Sequence, residues 1–298
     1  MKNSNLYNRI KNYEMVYKYK LLPNMYTILR LDGCHFSQYT KNLPKPFYRP
    51  LVQDMISTTK YLCEDIQGVK LAYTQSDEIS LLLTDLDTYE TQGWFDNEIQ
   101  KMVSVSASLA TGYFNSQRMA SGNMKLAQFD SRVFQLPNLA EVKNYFLQRQ
   151  QDFYKNSISG CAQVLYSHNQ LHGKNSSEKQ ELIFQKGELL KEKLRDCGYL
   201  MYPFPDKNYN WNDLPGFLKR GTTVFKSPQK KYFTKEIFDK DKRSEQVKLS
   251  TDWGKEESPI YPETHHLLSE TKYYKIVNQW TTEAIDFSEP NDRIFLTL

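Results

Sequence analysis

The fold is determined by two stretches of the sequence, Tyr26-Thr-Ile-Leu-Arg-Leu-Asp-Gly33 and Gln75-Ser-Asp-Glu-Ile-Ser-Leu-Leu-Leu-Thr84. The first is rich in strand-forming residues and ends at Gly33, which predicts a strand closed by a turn. In the second, residues 75 and 76 form a tight turn before a strand from Glu78 to Thr84, and residues 69–74 form a strand before it. The two strands are close enough to make a β-hairpin.

The segments around these strands complete a familiar order of elements. Apolar residues at helical spacing predict a helix over residues 49–66 and a second over 96–118, followed by a strand over 126–136. The succession is strand, helix, strand, strand, helix, strand, which is the split βαβ pattern of ferredoxin-like domains. It is also the pattern of polymerase and nucleotide-cyclase palms. We therefore expect an α+β fold with a ferredoxin-like polymerase palm (βαββαβ).

The rest of the chain reads as mostly helical. An amphipathic helix over residues 6–22 opens the protein, and helices over 139–166 and 176–194 follow the palm. A short strand over 221–226 leads into an irregular region. We predict a palm catalytic domain over residues 1–137 and a helical and basic C-terminal region, residues 138–298, packed on it.

Three acids stand at the ends of the two deciding strands. In a split βαβ sheet the first and third strands are antiparallel neighbours, so Asp32 should lie beside Asp77 and Glu78. Crowded carboxylates resist joint ionisation unless cations neutralise them. Oxygen ligands suit Mg²⁺, and two such ions can clamp the attacking and leaving oxygens of a phosphoryl transfer. Each acidic motif taken alone reads better as an ordinary turn, and only the shared sheet edge favours a metal site.

Groups that could hold a triphosphate surround these acids. Arg30 precedes Asp32 on the same strand face, Lys45 lies in the following loop, and Lys101 lies early on the second helix. Backbone N–H groups at Gly33, Cys34 and His35 offer a cradle for phosphate oxygens. A surface lysine is more often only a surface lysine, so spacing alone supports Lys101 weakly.

Charge and cysteine usage bound the partners. The net charge is only +4, but residues 215–250 hold ten Lys/Arg against four Asp/Glu, which suits either a nucleic-acid contact or a solvated loop. The four cysteines form no CxxC pair, so a structural zinc site or disulfide framework is not indicated. No apolar run approaches membrane-spanning length. We expect a cytoplasmic protein with no membrane partner.

The ordered set of motifs resembles the tRNA-histidine guanylyltransferase family over residues 5–226. The motifs that carry the resemblance are Arg30-Leu-Asp-Gly33 with Phe36, Lys45-Pro46-Phe47, Gln75-Ser-Asp-Glu78, Phe129-Asp-Ser-Arg-Val-Phe134, Arg149-Gln-Gln-Asp152, Asn156, and Leu214-Pro215 with Lys219-Arg-Gly221. The resemblance implies a palm enzyme that adds nucleotides to the 5′ end of tRNA in the 3′-to-5′ direction. It also implies a homotetramer that uses ATP or GTP to activate a 5′-monophosphate.

The resemblance distributes roles over the motifs. It implies that Asp32, Gly33 and Asp77 bind two Mg²⁺ ions, with Asp32, Asp77 and Glu78 as the catalytic acids. Together with the charge pattern, it assigns nucleotide binding to Arg30, Gly33, Cys34, His35, Phe36, Lys45, Ser76 and Lys101. Contacts to tRNA are expected at Arg149, Asn156, Lys179, Lys219 and Arg220.

One departure separates branches of the family. Members that act on tRNA-histidine carry a His-x-Asn-Asn-x-x-Asn run where this chain has Tyr154-Lys-Asn-Ser-Ile-Ser-Gly160, and only Asn156 matches. The chain looks more similar to the guanylyltransferase-like branch, which repairs 5′-truncated tRNA by templated addition. The alternatives are non-templated G addition to tRNA-histidine, a nucleotide cyclase-type palm enzyme, and a non-catalytic RNA-binding protein on the same fold.

Overall fold

β1 (Tyr26–Gly33) lies between two antiparallel neighbours, β3 (Glu78–Leu83) and β4 (Phe129–Leu136), and β2 (Val69–Gln75) pairs with the far side of β3. The strand order is β4-β1-β3-β2. The structure, a computed structural model, describes residues 5–88, 90–199, 209–233, 260–264 and 271–288. It is a mixed α/β protein with an antiparallel sheet, and the first and third strands are neighbours, as the sequence predicts.

Helices cover both faces of this sheet. α3 (Arg49–Asp65) and α4 (Ile99–Ala120) pack on one face, where Ser106 of α4 donates to Ser131 of β4 at 2.8 Å. On the opposite face, Tyr145 of α5 (Leu139–Leu165) shares a hydrogen bond of 2.8 Å with Ser80. All six residues of β3 are buried. A strand covered on both sides reads as a continuous apolar run, which explains the sequence of β3.

The buried stripe of α4 differs from the predicted one. In the helix predicted over residues 96–118, the apolar spacing places Met102, Val105, Leu109, Gly112 and Tyr113 on the buried side; of these, only Met102 is buried. The stripe instead runs at four-residue intervals through Met102, Ser106, Ala110, Phe114 and Arg118. Small residues occupy two of these positions because the helix lies close to the sheet there. A hydrophobicity count misses such positions.

The helical part follows β4. After α5 come α6 (His168–Leu171), α7 (Ser176–Gln185), α8 (Gly187–Asp196) and α9 (Gly216–Arg220). The single helix predicted over residues 176–194 is wrong, because the chain breaks at Lys186. A Cβ at Gly187 would lie 2.0 Å from the backbone oxygen of Tyr209, so only glycine permits this close approach. Side chains of α5, α7 and α8 form a buried core together with Trp211.

The first helix is shorter and less packed than predicted. α1 (Asn5–Val16) ends six residues before Leu22, and none of its residues is buried. The short α2 (Phe36–Tyr39) follows β1. Among the described residues, no helix has the length and apolar character needed to cross a membrane.

Two compact units make up the chain. The first comprises residues 1–224 with 282–298, and the second comprises residues 225–281. β5 (Thr222–Phe233) begins in the first unit, and β6 (Ile260–Thr264) pairs antiparallel with β7 (Thr271–Glu283). Within the second unit, Thr281 Oγ1 donates to the backbone oxygen of Phe225 at 3.2 Å. The predicted division at residues 137 and 138 stays a prediction, and the basic segment beyond Phe233 lies outside the described residues until Ile260.

A buried amide fastens the first unit where the chain leaves it and returns. Gln150 Nε2 donates to the backbone oxygens of Arg220 at 3.2 Å and of Ile285 at 2.6 Å. Its Oε1 accepts from the backbone N–H of Phe287 at 3.0 Å. One α5 side chain therefore holds residues that flank the second unit in sequence.

Candidate active site

A row of three carboxylates crosses the sheet at one edge. Asp32 of β1 is directly opposite Glu78 of β3 and, on its other side, Asp130 of β4. Opposed residues in antiparallel strands project from the same face, so all three belong to one face of the sheet. The predicted neighbourhood of Asp32 and Glu78 is therefore found. Asp130 was missed as a site residue, although the register of the last strand against the first would have placed it there.

Glu78 is compensated by arginine. Its Oε2 accepts from Arg30 Nη2 at 2.8 Å and from Arg149 Nη1 at 3.3 Å. Arg149 Nη2 also donates to Asp152, three residues further along α5, at 2.7 Å. Burial raises the pKa of the Glu78 carboxyl above its ordinary 4.5, the two guanidinium groups oppose that rise, and Asp32 adds to it. This carboxylate has its positive partners within the protein.

Asp77 stands in a different environment, although it is the adjacent residue. Burial raises the pKa of its carboxyl above the ordinary 3.8, a hydrogen bond from the Ser76 side chain opposes that rise, and the charge of Asp32 adds to it. No guanidinium or ammonium group contributes to the shift. The negative charge of Asp32 therefore disfavours ionisation of Asp77, and Arg30 Nη2, at 3.9 Å, is paired with Asp32 Oδ2 rather than with Asp77.

The oxygen donors at this edge fit Mg²⁺. Magnesium binds hard oxygen ligands alongside water and substrate phosphates, and this edge offers the carboxylates of Asp32 and Asp77 and the backbone of Gly33. Among the described residues, no group of three or more His, Cys, Asp or Glu side chains is arranged to hold a metal ion by itself. A magnesium ion here would depend on phosphate oxygens as well as protein oxygens, and would relieve the repulsion between the two aspartates.

Two strained turns bring the site residues to the edge. Ser76 has φ 51° in the two-residue loop between Gln75 and Glu78, and His35 has φ 54° just after β1. Left-handed backbone of this kind favours glycine and costs other residues roughly 1–2 kcal/mol. A Cβ at Gly33 would lie 2.2 Å from the Phe36 ring, so that position requires glycine. Strain of this kind often marks a functional position.

The loop after β1 is anchored in the core. Phe36 is buried and packs against Tyr39, Phe114 and Phe129 with ring centroids 4.9–5.7 Å apart. The Cys34 thiol donates to Asp130 Oδ2 at 3.7 Å, and burial followed by the charge of Asp130 raises its pKa. The loop is thus fixed from both ends before any ligand binds.

A cavity of about 610 Å³ opens beside Asp77. Its wall includes five residues predicted to bind metal, nucleotide or tRNA, namely Phe36, Lys45, Ser76, Asp77 and Asn156. Asn156 was predicted as a tRNA contact, and it lines the same cavity as residues predicted to bind nucleotide. The volume is within the range of about 300–1,000 Å³ that is typical of small-molecule sites. Most of the remaining wall is apolar or aromatic, drawn from the loop after β1, from α3 and from α5.

Several predicted residues lie outside this cavity and make contacts within the protein. Lys101 Nζ is 3.9 Å from Glu98 Oε2 and lies 5.8 Å from the centroid of the Phe95 ring. Lys179 Nζ donates to Ser159 Oγ at 3.2 Å. Neither lysine contacts the carboxylates of the site through these interactions, and their predicted nucleotide and tRNA contacts stay predictions.

The two basic residues of α9 are similarly engaged. Lys219 Nζ donates to the backbone oxygen of Asn212 at 2.5 Å and lies over the Trp211 ring. Burial, followed by the charge of Arg220, lowers the Lys219 pKa. Arg220 pairs with Asp286 at 3.0 Å. Their predicted tRNA contacts stay predictions.

Comparison with known proteins identifies the family. The tRNAHis guanylyltransferase family model matches residues 7–137. A bacterial tRNA(His) guanylyltransferase-like protein in complex with ATP is 43% identical, with a TM-score of 0.64, and the match covers 74% of this chain and 88% of that one. The chain belongs to the tRNAHis guanylyltransferase family.

Other members of the tRNAHis guanylyltransferase family agree. A bacterial tRNA(His) guanylyltransferase-like protein in complex with GTP is 32% identical, with a TM-score of 0.65, over 99% of this chain and 98% of that one. A probable tRNA(His) guanylyltransferase of Drosophila melanogaster is 26% identical over 221 residues, which is 69% of this chain and 68% of the relative. The predicted family is confirmed, and the chain is a nucleotidyltransferase.

Proposed function

We propose that this enzyme adds nucleotides to the 5′ end of tRNA in the 3′-to-5′ direction, and that its task is templated repair of 5′-truncated tRNA. The proposal rests on the position of Asp77, which lines a cavity shared with Lys45 and Ser76, is repelled by the charge of Asp32 and forms no ion pair with a described residue. That arrangement suits a triphosphate accompanied by magnesium. The solved relatives, one in complex with ATP and one with GTP, support a purine nucleotide there.

The strand and helix order supports the same chemistry. The succession β1, α3, β2, β3, α4, β4 with sheet order β4-β1-β3-β2 matches a polymerase palm, with α5 to α9 as an added helical part. In such a palm, Asp32, Asp77 and the Gly33 backbone would hold two Mg²⁺ ions, which stabilise the charge that develops on the attacking and leaving oxygens. We assign Glu78 to positioning, because its carboxylate is already bound to Arg30 and Arg149.

The reaction has two balanced steps. The 5′-monophosphate of the tRNA attacks the α-phosphorus of ATP or GTP, and pyrophosphate leaves. The 3′-hydroxyl of the incoming nucleoside triphosphate then attacks the activated 5′ phosphorus, and the nucleoside monophosphate leaves. The Lys45 ammonium would bind phosphate oxygens in the first step, because it lines the same cavity as Asp77. Lys45 Nζ now donates to Thr40 Oγ1 at 3.2 Å, a contact that a phosphate oxygen can replace.

Templated addition is favoured by the part of α5 that departs from the tRNA-histidine pattern. Within Tyr154–Gly160, two of the residues that differ from the pattern, Ser157 and Gly160, line the cavity beside Asp77, next to the matching Asn156. The difference in sequence therefore falls at the nucleotide site itself. A base in the opposite strand of the acceptor stem would select the incoming nucleotide by pairing.

The test supplies tRNA transcripts that lack the first nucleotide, with each base in turn at the opposing position. Addition that follows the opposing base supports repair. Addition of G to full-length tRNA-histidine regardless of the opposing base would replace repair with G addition. A cyclic product from triphosphates alone would replace both with cyclase activity, and nucleotide binding without any product would leave an RNA-binding role.

A homotetramer is part of the proposal. Residues 6–22 expose nine large apolar side chains, which is unusual for a surface that faces water alone. Their burial between subunits would explain them. Light scattering coupled to size-exclusion chromatography measures the assembly, and a monomer at micromolar concentration would contradict it.

A further inference from the structure

The α5 wall of the cavity beside Asp77 follows one helical face. Its residues are Phe153, Asn156, Ser157, Gly160, Gln163 and Val164. Intervals of three and four residues place them on the same side of the helix. Gly160 is at the middle of this face, with Asn156 one turn before it and Gln163 one turn after it.

Neither backbone conformation nor packing explains glycine at position 160. The residue is inside the 27-residue helix α5, and its φ is not among the positive values of the described residues. A Cβ there would meet only the Pro46 Cβ, at 4.0 Å, which is an ordinary contact distance. Glycine in a helix interior costs about 1 kcal/mol relative to alanine. The one structural effect of this costly residue is space in the cavity wall.

Polar groups border this space on both sides. The side-chain amides of Asn156 and Gln163 line the cavity, and neither forms a hydrogen bond to another described residue. The hydroxyl of Ser157, which lies between them in sequence, already has partners within the protein. Its Oγ donates to the Leu218 backbone oxygen at 2.6 Å and accepts from Trp211 Nε1 at 3.0 Å. An amide offers two donors and an acceptor in one plane, which suits the edge of a heterocyclic base.

We propose that the gap at Gly160, bordered by Asn156 and Gln163, is the slot that admits the purine base of the activating ATP or GTP, whereas the incoming nucleotide is selected by the opposing base of the acceptor stem. The inference rests on the proposed function, because Lys45, Ser76 and Asp77 in the same cavity would hold the triphosphate. Gly160 is then a specificity determinant rather than a catalytic residue. Its missing side chain accommodates the larger ring system, and the two amides contact the edge of the base.

The experiment compares Gly160→Leu with Gly112→Leu. Gly112 is also inside a helix, α4, but it is exposed, and a Cβ there meets nothing within 4 Å. Equilibrium dissociation constants are measured for ATP, GTP, CTP and UTP without RNA, with magnesium present. Filling the slot should weaken ATP and GTP about tenfold or more, as is usual for extra volume in a fitted pocket. CTP and UTP should change less than about twofold, and Gly112→Leu should bind all four like the wild type.

The outcomes separate this inference from the proposed function. A wild-type protein that binds no triphosphate would overturn the proposed function itself. Wild-type binding with unchanged purine affinity in Gly160→Leu would overturn only the slot, and so would an equal loss for purines and pyrimidines. If the leucine variant does not fold, Gly160→Ala replaces it, with a raised melting temperature and a two- to threefold loss for purines alone as the expected result. Unchanged purine binding in that variant would also overturn the slot.

Discussion

Asp77 and Glu78 are adjacent in sequence, yet they belong to two chemically different regions. The Glu78 region is closed: its carboxylate is buried and held by Arg30 and Arg149, with Asp152 beside them. The Asp77 region is open to the cavity, and Asp77, which Asp32 repels, forms no ion pair of its own with a described residue, although Asp32 is paired with Arg30 at 3.9 Å. The comparison teaches that two neighbouring acids in a motif need not share a role. The charge of Glu78 is neutralised by arginines of the protein, whereas the charge of Asp77 is available to a ligand.

Asp77→Asn should give the largest effect on activity. The amide keeps the shape of the side chain but removes the charge that would bind magnesium, so nucleotide addition should fall on the order of 10³-fold. Stability at neutral pH should stay the same or rise, because burial disfavours the charged form of Asp77. Initial rates and a thermal melt on the same preparation check both parts. A destabilised variant would mean that Asp77 is structural.

Glu78→Gln should show the opposite balance. Removing the buried charge leaves Arg149 with only Asp152 and Arg30 with only the more distant Asp32, and breaking a buried ion pair in this way typically costs about 3 kcal/mol in the free energy of unfolding. Activity should fall about 10- to 100-fold, as for residues that position others. Urea unfolding measures the first, and assays below the melting temperature measure the second. An activity loss as large as that of Asp77→Asn, without a loss of stability, would erase the distinction between the two regions.

The pH dependence of stability tests whether ionised Asp77 binds a metal ion. The folded pKa of Asp77 is above its unfolded value of 3.8, so its contribution to stability is fully present below the unfolded pKa and is lost as the pH rises through the folded pKa. Without metal, the stability of wild type relative to Asp77→Asn should therefore decline across that window. Added magnesium binds the ionised form and should remove the decline. A decline that persists with magnesium would contradict a metal site at Asp77.

Ser76→Gly should give the smallest effect. Glycine relieves the positive φ of Ser76, so the free energy of unfolding should rise by about 1 kcal/mol. It also removes the hydrogen bond that lowers the Asp77 pKa, so activity should fall most at acidic pH. Asn24→Gly is the matched control, since Asn24 also has a positive φ but lies away from the cavity. Equal activity profiles for the two variants would separate Ser76 from the site.

The strands were predictable because short-range patterns determine them. β1 and β3 end within one residue of the predicted bounds, and their pairing follows from the order of elements. The partners of Glu78 were not predictable in the same way, because Arg149 is 71 residues distant and reaches it only after α5 packs on the sheet. The break at Lys186 depends on Tyr209 approaching Gly187, a tertiary contact without a local signal.

The candidate site shows the same division. Asp32, Asp77 and Lys45 are at turns and loops whose residue types are visible in the sequence. Asn156 looked like part of an RNA-binding helix, because the sequence does not show which face of α5 meets the cavity. Asp130 was not predicted as a site residue, because an acidic residue in an edge strand normally faces solvent. Only its register opposite Asp32 places it in the row of carboxylates.

The clamp made by Gln150 has a consequence for how this protein can vary. Because Arg220 and Ile285 are fastened by the same buried amide, the parts of the first unit that precede and follow residues 225–281 are held together within that unit. The ends of the second unit are themselves joined by the hydrogen bond between Thr281 and Phe225. Close ends make a segment exchangeable, since a short linker can span them. We therefore expect changes in length within residues 225–281 to leave the fold of the first unit intact.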